Sequence, residues 1–337
     1  MNLPAANENF WHGKRVLVTG AAGFIPSHLV ETLVTRGAQV RAFIRYNSRA
    51  DWGLLRELPP QILEQVEVVF GDLRDLPTVQ RVMRDCEYVF HLGALIAIPY
   101  SYLNPAEVVE VNVTGTLNVL LAARDLPVTR VVHTSTSEVY GTALRVPIDE
   151  EHPLQGQSPY SASKIGADKI AESFYRSFDV PVVTLRPFNT YGPRQSTRAV
   201  IPTIITQALT RDTIKLGNLE ARRDLTYVQD TVAGFLKVAE TPGVEGDTFN
   251  LGVGYDVSIG ELAEKIIALI GRDVQIELDA ARLRPEKSEV QRLLSDNRKA
   301  QRHLGWQPQV SLDEGLQRTI DWMKTNLARY NIGYYQR

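Results

Sequence analysis

The chain has 337 residues, 44 % of them hydrophobic and 23 % charged, which is enough to bury one large core or two. Thirty-seven basic against thirty-nine acidic side chains leave a net charge of -2, which excludes the electrostatic footprint of a nucleic-acid binder. A lone cysteine, Cys86, excludes an internal disulfide framework and any multi-cysteine metal site, and no two histidines stand at i, i+4, so no metal site is expected. The first ten residues lack a basic region followed by an apolar stretch, and no later run approaches the roughly 18 apolar residues of a spanning helix. The chain therefore reads as cytoplasmic, with no membrane contact.

In chain order, Arg15 to Thr19 is a short apolar run that predicts a strand. Gly20, Ala21, Ala22 and Gly23 follow, then Leu29, Val30, Leu33 and Val34 at helical spacing. Strand, glycine turn and helix in that order aim backbone N–H groups at a point where a pyrophosphate can sit. Further strands are predicted at 40–44, 66–70 and 88–91, with helical spacing over 79–83. Each strand ends in a short polar or glycine turn: Arg45-Tyr46-Asn47, Gly71-Asp72-Leu73 and Leu92-Gly93-Ala94. This βαβα rhythm predicts an α/β, Rossmann-type doubly wound parallel sheet whose carboxyl strand ends form the ligand edge. The apolar stretch Ala94 to Ser101, which includes Ile96, reads as a loop lining a ligand pocket there or as a packing or subunit contact. A helix over about 105–123 carries Val109, Val113, Leu117 and Leu120 and sends Asn112, Thr116 and Asn118 toward the sheet ends.

The run Arg130 to His133 then delivers a hydroxyl-rich segment, Thr134-Ser135-Thr136-Ser137-Glu138, to a strand's carboxyl end. Ser158-Pro159 starts a helix on which Tyr160 and Lys164, four apart, share a face. An ammonium beside a phenol favours the phenolate, so the Tyr160 pKa is expected to fall from about 10 toward neutrality and Tyr160 becomes a candidate general base. Glu138 adds a carboxylate two residues beyond Thr136. The bland alternative makes Tyr160 and Lys164 a surface pair, Glu138 a cap or salt-bridge partner, and Thr134, Ser135 and Ser137 partners of backbone groups.

A strand over 181–187 is followed by a turn marked by Gly192-Pro193, and from about residue 193 the periodicity loosens. Helices near 201–209, 230–238, 259–270 and 312–327 and a strand at 249–251 are expected, the second helix and the strand rejoining the sheet. The domain reading is residues 1–192 plus 224–252 for the dinucleotide-binding part. Residues 193–223 and 253–337 would make a smaller mixed α/β substrate lobe closing over the ligand edge.

These residues resemble the extended short-chain dehydrogenases/reductases that act on nucleotide sugars. The resemblance runs from about Lys14 to the last helix and rests on Thr19-Gly20-x-x-Gly23, Asp72, Leu92-x-Ala94, Thr136 and Tyr160-x-x-x-Lys164. Thr136-Ser137-Glu138, Arg284 to Val290 and Leu304-Gly305-Trp306 resemble the 4,6-dehydratase branch, because related 4-epimerases usually lack the glutamate. Closest are the N-acetylglucosamine 4,6-dehydratases of legionaminic-acid pathways, with GDP-mannose 4,6-dehydratases next.

The resemblance implies a hydro-lyase of cell-surface polysaccharide biosynthesis. It would oxidise C4 of a nucleotide-diphosphate hexose, UDP- or GDP-N-acetylglucosamine, eliminate water across C5 and C6, and return the hydride to C6. Thr136, Ser137, Glu138, Tyr160 and Lys164 would be catalytic, with Ser137 standing where some relatives carry an aspartate acid. Cofactor contacts would come from Gly20, Ala22, Gly23, Phe24, Ile25, Arg45, Asn47, Ser48, Arg49, Asp72, Leu73, Leu92, Gly93, Ala94, Thr134, Tyr160, Lys164 and Pro187. Substrate contacts would come from Ile96, Ser137, Glu138, Asn189, Arg194, Arg223 and Arg284, although Arg223 can also be read as an ion pair with Asp224. Pro26 replaces the family's third glycine; proline in a first helical turn costs no intrahelical bond. The acidic residue usual after the second strand is missing, and Arg45 and Arg49 occupy that region, which leans the cofactor to NADP(H) over NAD(H), tightly held through a redox-neutral cycle. A homodimer through the helices starting at Pro105 and Ser158 is also implied. A 4-epimerase and a non-catalytic nucleotide-binding protein on the same fold stand as alternatives.

Overall fold

The computed structural model describes residues 9–330. Seven strands, β1 (Arg15–Thr19), β2 (Gln39–Arg45), β3 (Val66–Gly71), β4 (Tyr88–His91), β5 (Arg130–Thr134), β6 (Val182–Pro187) and β7 (Thr248–Leu251), form one sheet in the order β7-β6-β5-β4-β1-β2-β3. Every pairing in it is parallel. Parallel sheets are covered on both faces, which is why β1 reads as a continuous apolar run. Its alternate residues feed two separate cores: Val16 and Val18 pack with Leu29, Leu33 and Phe235, while Leu17 packs with Val79, Val82, Val119 and Phe174.

Helix α1 (Phe24–Thr35) lies on the first face beside α5 (Val228–Glu240). On the second face lie α2 (Leu76–Met83), α3 (Pro105–Asp125) and α4 (Pro159–Phe178). Pro26 is buried in the first turn of α1, and the helix continues through it, with the Ser27 N–H donating to the Gly23 carbonyl at 3.1 Å. The strand order reverses between β1 and β4, and that switch point opens the ligand crevice at the carboxyl ends of the strands.

Two expectations need correction. Helix α3 is not a uniform α-helix: residues Glu110–Thr114 form a π turn in its middle, a feature associated with functional sites. It is also long and apolar enough to cross a membrane by length and composition, with mean hydropathy 1.2, contrary to the reading that no run approached that limit. Half of that window is buried inside the fold, where α3 packs between α2 and α4.

Beyond β6 the chain builds short strand pairs, 213–216 with 275–278, 189–191 with 225–227, and 222–223 between 257–258 and 292–293, around helices at 200–210, 259–270 and 312–325. Asp224 joins segments of this region to the end of β7: its carboxylate accepts N–H bonds from Val253 at 2.8 Å, Gly254 at 3.0 Å and Ser295 at 3.1 Å.

Candidate active site

The turn after β1 is shaped for a close backbone approach. Gly20 has φ +66°, and a Cβ there would lie 2.7 Å from the Cα of Gly93, so the turns after β1 and β4 touch main chain to main chain. Thr19 bridges them, its Oγ1 accepting from the Gly93 N–H at 3.0 Å. Gly23 caps α1 without a side-chain hydrogen bond, and the first turn holds no acidic residue, so the amides of Phe24 and Ile25 remain free for an anion. Ala22 is covered by the segment after β2, where Leu54 N–H donates to its carbonyl at 3.1 Å. The Thr134 hydroxyl at the end of β5 is buried without a partner among the described residues, as is Oδ1 of Asn189 beyond β6. This cradle with open donors and orphaned polar atoms along one strand edge fits a dinucleotide and a second anionic ligand.

At the adenosine end the arrangement differs from expectation. Arg45 is 3.3 Å from Glu107, whose other oxygen accepts a bond from Tyr100. Asn47 closes its own turn through both main-chain groups of Asp51, while Ser48 and Arg49 are exposed. Asp72 is held by Arg74, which also reaches Glu110 on the π turn. Leu73 is buried under Gly93 and Gly115.

The candidate catalytic residues lie at the end of β5 and the start of α4. Thr136 caps a single 3-10 turn, Ser137–Tyr140, its Oγ1 accepting from the Glu138 N–H at 3.2 Å. Ser158 and Ser161 form a capping box that fixes the start of α4. The result brings the Thr136 hydroxyl to the Tyr160 phenol as its hydrogen-bond partner, and the charge of Glu138 is felt there. Tyr160 and Lys164 are 6 % and 3 % exposed, which removes the surface-pair alternative.

The expected lowering of the Tyr160 pKa is absent from the free site. Burial pushes the phenol well above its ordinary value, the Thr136 hydrogen bond opposes this, and the charges of Glu138 and Asp168 add to the rise. Lys164 is itself pulled down to about 8 by burial, with Asp168 opposing. A low dielectric acts on both partners of the pair, an effect that spacing along a helix does not reveal.

Arg284 lies 3.8 Å from Glu138, and Arg223 is buried 3.6 Å from Glu289. Arg223 does not pair with Asp224, whose carboxylate is taken by backbone amides. Arg194, at φ +70°, bonds Glu31 of α1 at 2.6 Å and keeps its Nη1 buried without a partner among the described residues, so it faces α1 and not Glu138. Ile96 is 57 % exposed, and the stretch expected to be a loop turns helical at Ile98–Leu103. Pro187 ends β6 opposite Leu251.

Sequence reading missed Asp168 behind the pair. Asp168, one further turn along α4, continues the spacing of Tyr160 and Lys164, and this was the available signal. Asn112 on the π turn clamps both backbone groups of Leu95, at 2.8 and 2.9 Å, and donates to Ser163 at 2.9 Å, tying the turn after β4 to α4. His91 and His133 are core residues, each buried and hydrogen-bonded. Among the described residues no group of three or more His, Cys, Asp or Glu is placed to hold a metal.

Comparison with known proteins agrees with this geometry. The family model described as GDP-mannose 4,6 dehydratase matches residues 17–319. Mouse dTDP-D-glucose 4,6-dehydratase is 31% identical over 326 residues, covering 94% of this chain and 90% of that protein. The UDP-glucose 4-epimerase of Mycolicibacterium smegmatis is 34% identical over 317 residues, covering 92% and 98%. Among solved structures, the dTDP-glucose 4,6-dehydratase DesIV of Streptomyces venezuelae, with NAD bound, superposes with TM-score 0.83 at 31% identity, covering 94% of this chain and 99% of that one. Similarity along nearly the whole length, at identities that join dehydratases and epimerases alike, makes this chain a member of the GDP-mannose 4,6 dehydratase family, an extended short-chain dehydrogenase/reductase with nucleotide-sugar 4,6-dehydratase and 4-epimerase relatives.

Proposed function

We propose that the chain is a nucleotide-sugar 4,6-dehydratase, and the observation that carries this is Glu138 on the turn that Thr136 caps, a carboxylate whose charge is felt at the Tyr160 phenol. A 4-epimerase needs only an oxidising pair and room for the ketone to turn over. A dehydratase needs a second acid–base group next to the first, because the C5 proton must leave after C4 is oxidised. Glu138 stands next to Thr136 on a rigid turn, and Arg284 offers it a counter-charge.

In this reading Tyr160 accepts the O4 proton, Thr136 holds O4, and Lys164 supports the phenolate. A bound nicotinamide cofactor would take the C4 hydride and give it back at C6. Glu138 then removes the proton made acidic by the neighbouring ketone. Ser137 is buried beside it and is no strong acid, so the proton on the departing C6 hydroxyl comes from Glu138 itself or from a water that Ser137 orients, and C5 regains a proton as the hydride returns to C6, balanced by the one Tyr160 took from O4. Asn189, Arg223 and Arg284 would grip the diphosphate, for which guanidinium forks are suited. The hexose is proposed to be N-acetylglucosamine linked to UDP or GDP, and the active form a homodimer. Replacing Arg284 with Met is expected to lower kcat/KM by roughly tenfold to a hundredfold through a higher KM, the loss of one or two charge-assisted bonds, as steady-state kinetics would record.

For the cofactor, Glu107 beside Arg45 shifts our reading to NAD(H) and away from the 2′-phosphate that the two arginines alone suggested. A carboxylate there repels a phosphate that would have to share its guanidinium. Fluorescence titration is expected to give NADH an affinity about tenfold above that of NADPH, or ~1.4 kcal/mol; a preference for NADPH reverses the assignment. The function itself is tested by incubation with UDP-, GDP-, CDP- and dTDP-hexoses and mass analysis. Loss of one water is the expected result. A product of unchanged mass but altered C4 configuration identifies an epimerase, and no change with any sugar favours a non-catalytic role.

A further inference from the structure

Arg186 on β6 is 5 % exposed, and its guanidinium binds two separate parts of the candidate site. Nε and Nη2 donate to the Asp168 carboxylate at 3.2 and 3.0 Å, on α4 two turns beyond Tyr160. Nη1 donates to the Tyr140 hydroxyl at 2.9 Å, and the guanidinium carbon lies 5.1 Å from the centre of the Tyr140 ring. Tyr140 is fully buried and is the last residue of the turn Ser137–Tyr140, two residues after Glu138. One planar fork thus joins the helix of Tyr160 and Lys164 to the turn that carries Glu138.

Both ends of this bridge are anchored. Asp168 also meets His133 Nε2 at 3.0 Å and accepts from Ser135 Oγ at 2.8 Å, at the end of β5. The Tyr140 hydroxyl donates to Asn250 Oδ1 at 2.7 Å, and Asn250 Nδ2 donates to the Ile148 carbonyl at 3.0 Å. The turn itself is loosely bonded within: Val139 N–H reaches the Thr136 carbonyl at 3.4 Å, and Gly141 N–H reaches the Glu138 carbonyl at 3.3 Å. Bonds of that length hold a single turn weakly, so its place depends on outward contacts. Those are the Gln155 N–H, which donates to the Val139 carbonyl at 2.7 Å, and the buried bonds of the Tyr140 hydroxyl.

Resting on the dehydratase reading, we infer that Arg186 is a positioning residue that fixes the Glu138 turn against α4, keeping the carboxylate in register with a sugar held by Thr136 and Tyr160. Oxidation at C4 draws on Thr136, Tyr160 and Lys164, whereas elimination also needs Glu138. Loss of the bridge therefore weighs on the second step, and a residue that only stabilised the fold would weigh on both alike. Tyr140→Phe cuts the bridge at the turn and leaves the ring and the Arg186–Asp168 pair in place. Arg186→Lys keeps the charge, but an ammonium is a point contact and cannot hold both partners.

Two measurements test this. Hydrogen exchange of the protein without cofactor or substrate, read by mass spectrometry, is expected to be about tenfold faster over 138–141 in both variants, with β1 and β4 unchanged. Stopped-flow absorbance with cofactor and the nucleotide sugar that the unaltered protein dehydrates is expected to show reduced nicotinamide forming at nearly the unaltered rate and decaying about tenfold or more slowly. Should Arg186→Lys not fold, Tyr140→Phe decides. Unchanged exchange over 138–141, exchange raised equally in β1 and β4, or both steps slowed by the same factor overturns the inference. Water loss by the unaltered protein is measured first: its absence defeats the dehydratase reading, and the exchange measurement then decides by itself whether Arg186 fixes the turn.

Discussion

Glu138→Gln is expected to cut formation of the 4-keto-6-deoxy product by roughly 10²–10⁴-fold, the range for removal of a positioned acid–base group. The amide keeps the size of the side chain and the backbone bond to Thr136, so the turn Ser137–Tyr140 and cofactor affinity should survive. What it loses is the ability to take the C5 proton. Oxidation at C4 precedes that step, so the variant mixed with substrate should still accumulate reduced cofactor, visible as near-ultraviolet nicotinamide absorbance, and then stall. Full turnover by this variant would remove Glu138 from the mechanism and return the epimerase reading to first place.

Tyr160→Phe should fail one step earlier. A comparable loss of roughly 10²–10⁴-fold in kcat is expected, with no accumulation of reduced cofactor in a single turnover, because the O4 proton has no acceptor. The two variants together separate oxidation from elimination. The unaltered enzyme's pH profile carries the same logic. Burial holds the Tyr160 phenol protonated in the free site, so activity should rise with pH while the base is being formed. It should fall again as pH rises through about 8, where Lys164 loses its proton and the phenolate loses its support. An alkaline limb near pH 10 would mean that burial acts on Lys164 far less than the geometry implies.

Much of the fold was legible because the signals were local. The apolar run at Arg15–Thr19, the glycines at 20 and 23 and the helical spacing of Leu29, Val30, Leu33 and Val34 describe one strand–turn–helix unit, and that unit formed. Two glycines were sufficient because the close approach they allow is between main chains, Gly20 against Gly93. Ends of elements moved by a few residues, as at α2, which begins at Leu76 and not at 79. The π turn in α3 had no pattern to announce it, since its register shift serves Asn112, which bonds Leu95 and Ser163 far along the chain.

The candidate site divides in the same way. Thr136 with Glu138 at a strand end, and Tyr160 with Lys164 at helical spacing, were each legible as local pairs, and folding brought the Thr136 hydroxyl to the Tyr160 phenol. Tertiary structure decided their electrostatics and their company. Burial depends on everything that covers a residue, so the direction of the Tyr160 shift, opposite to that expected from its lysine neighbour alone, was not written in residues 158–164. Ion pairs depend on folding distant segments together: Arg284 reached Glu138, Arg45 reached Glu107, Arg194 turned to Glu31, and Asp224 spent its charge on backbone amides and left Arg223 to Glu289. Spacing along a strand or helix fixes which side chains share a face, whereas dielectric and counter-charge are set by what the rest of the chain packs against that face.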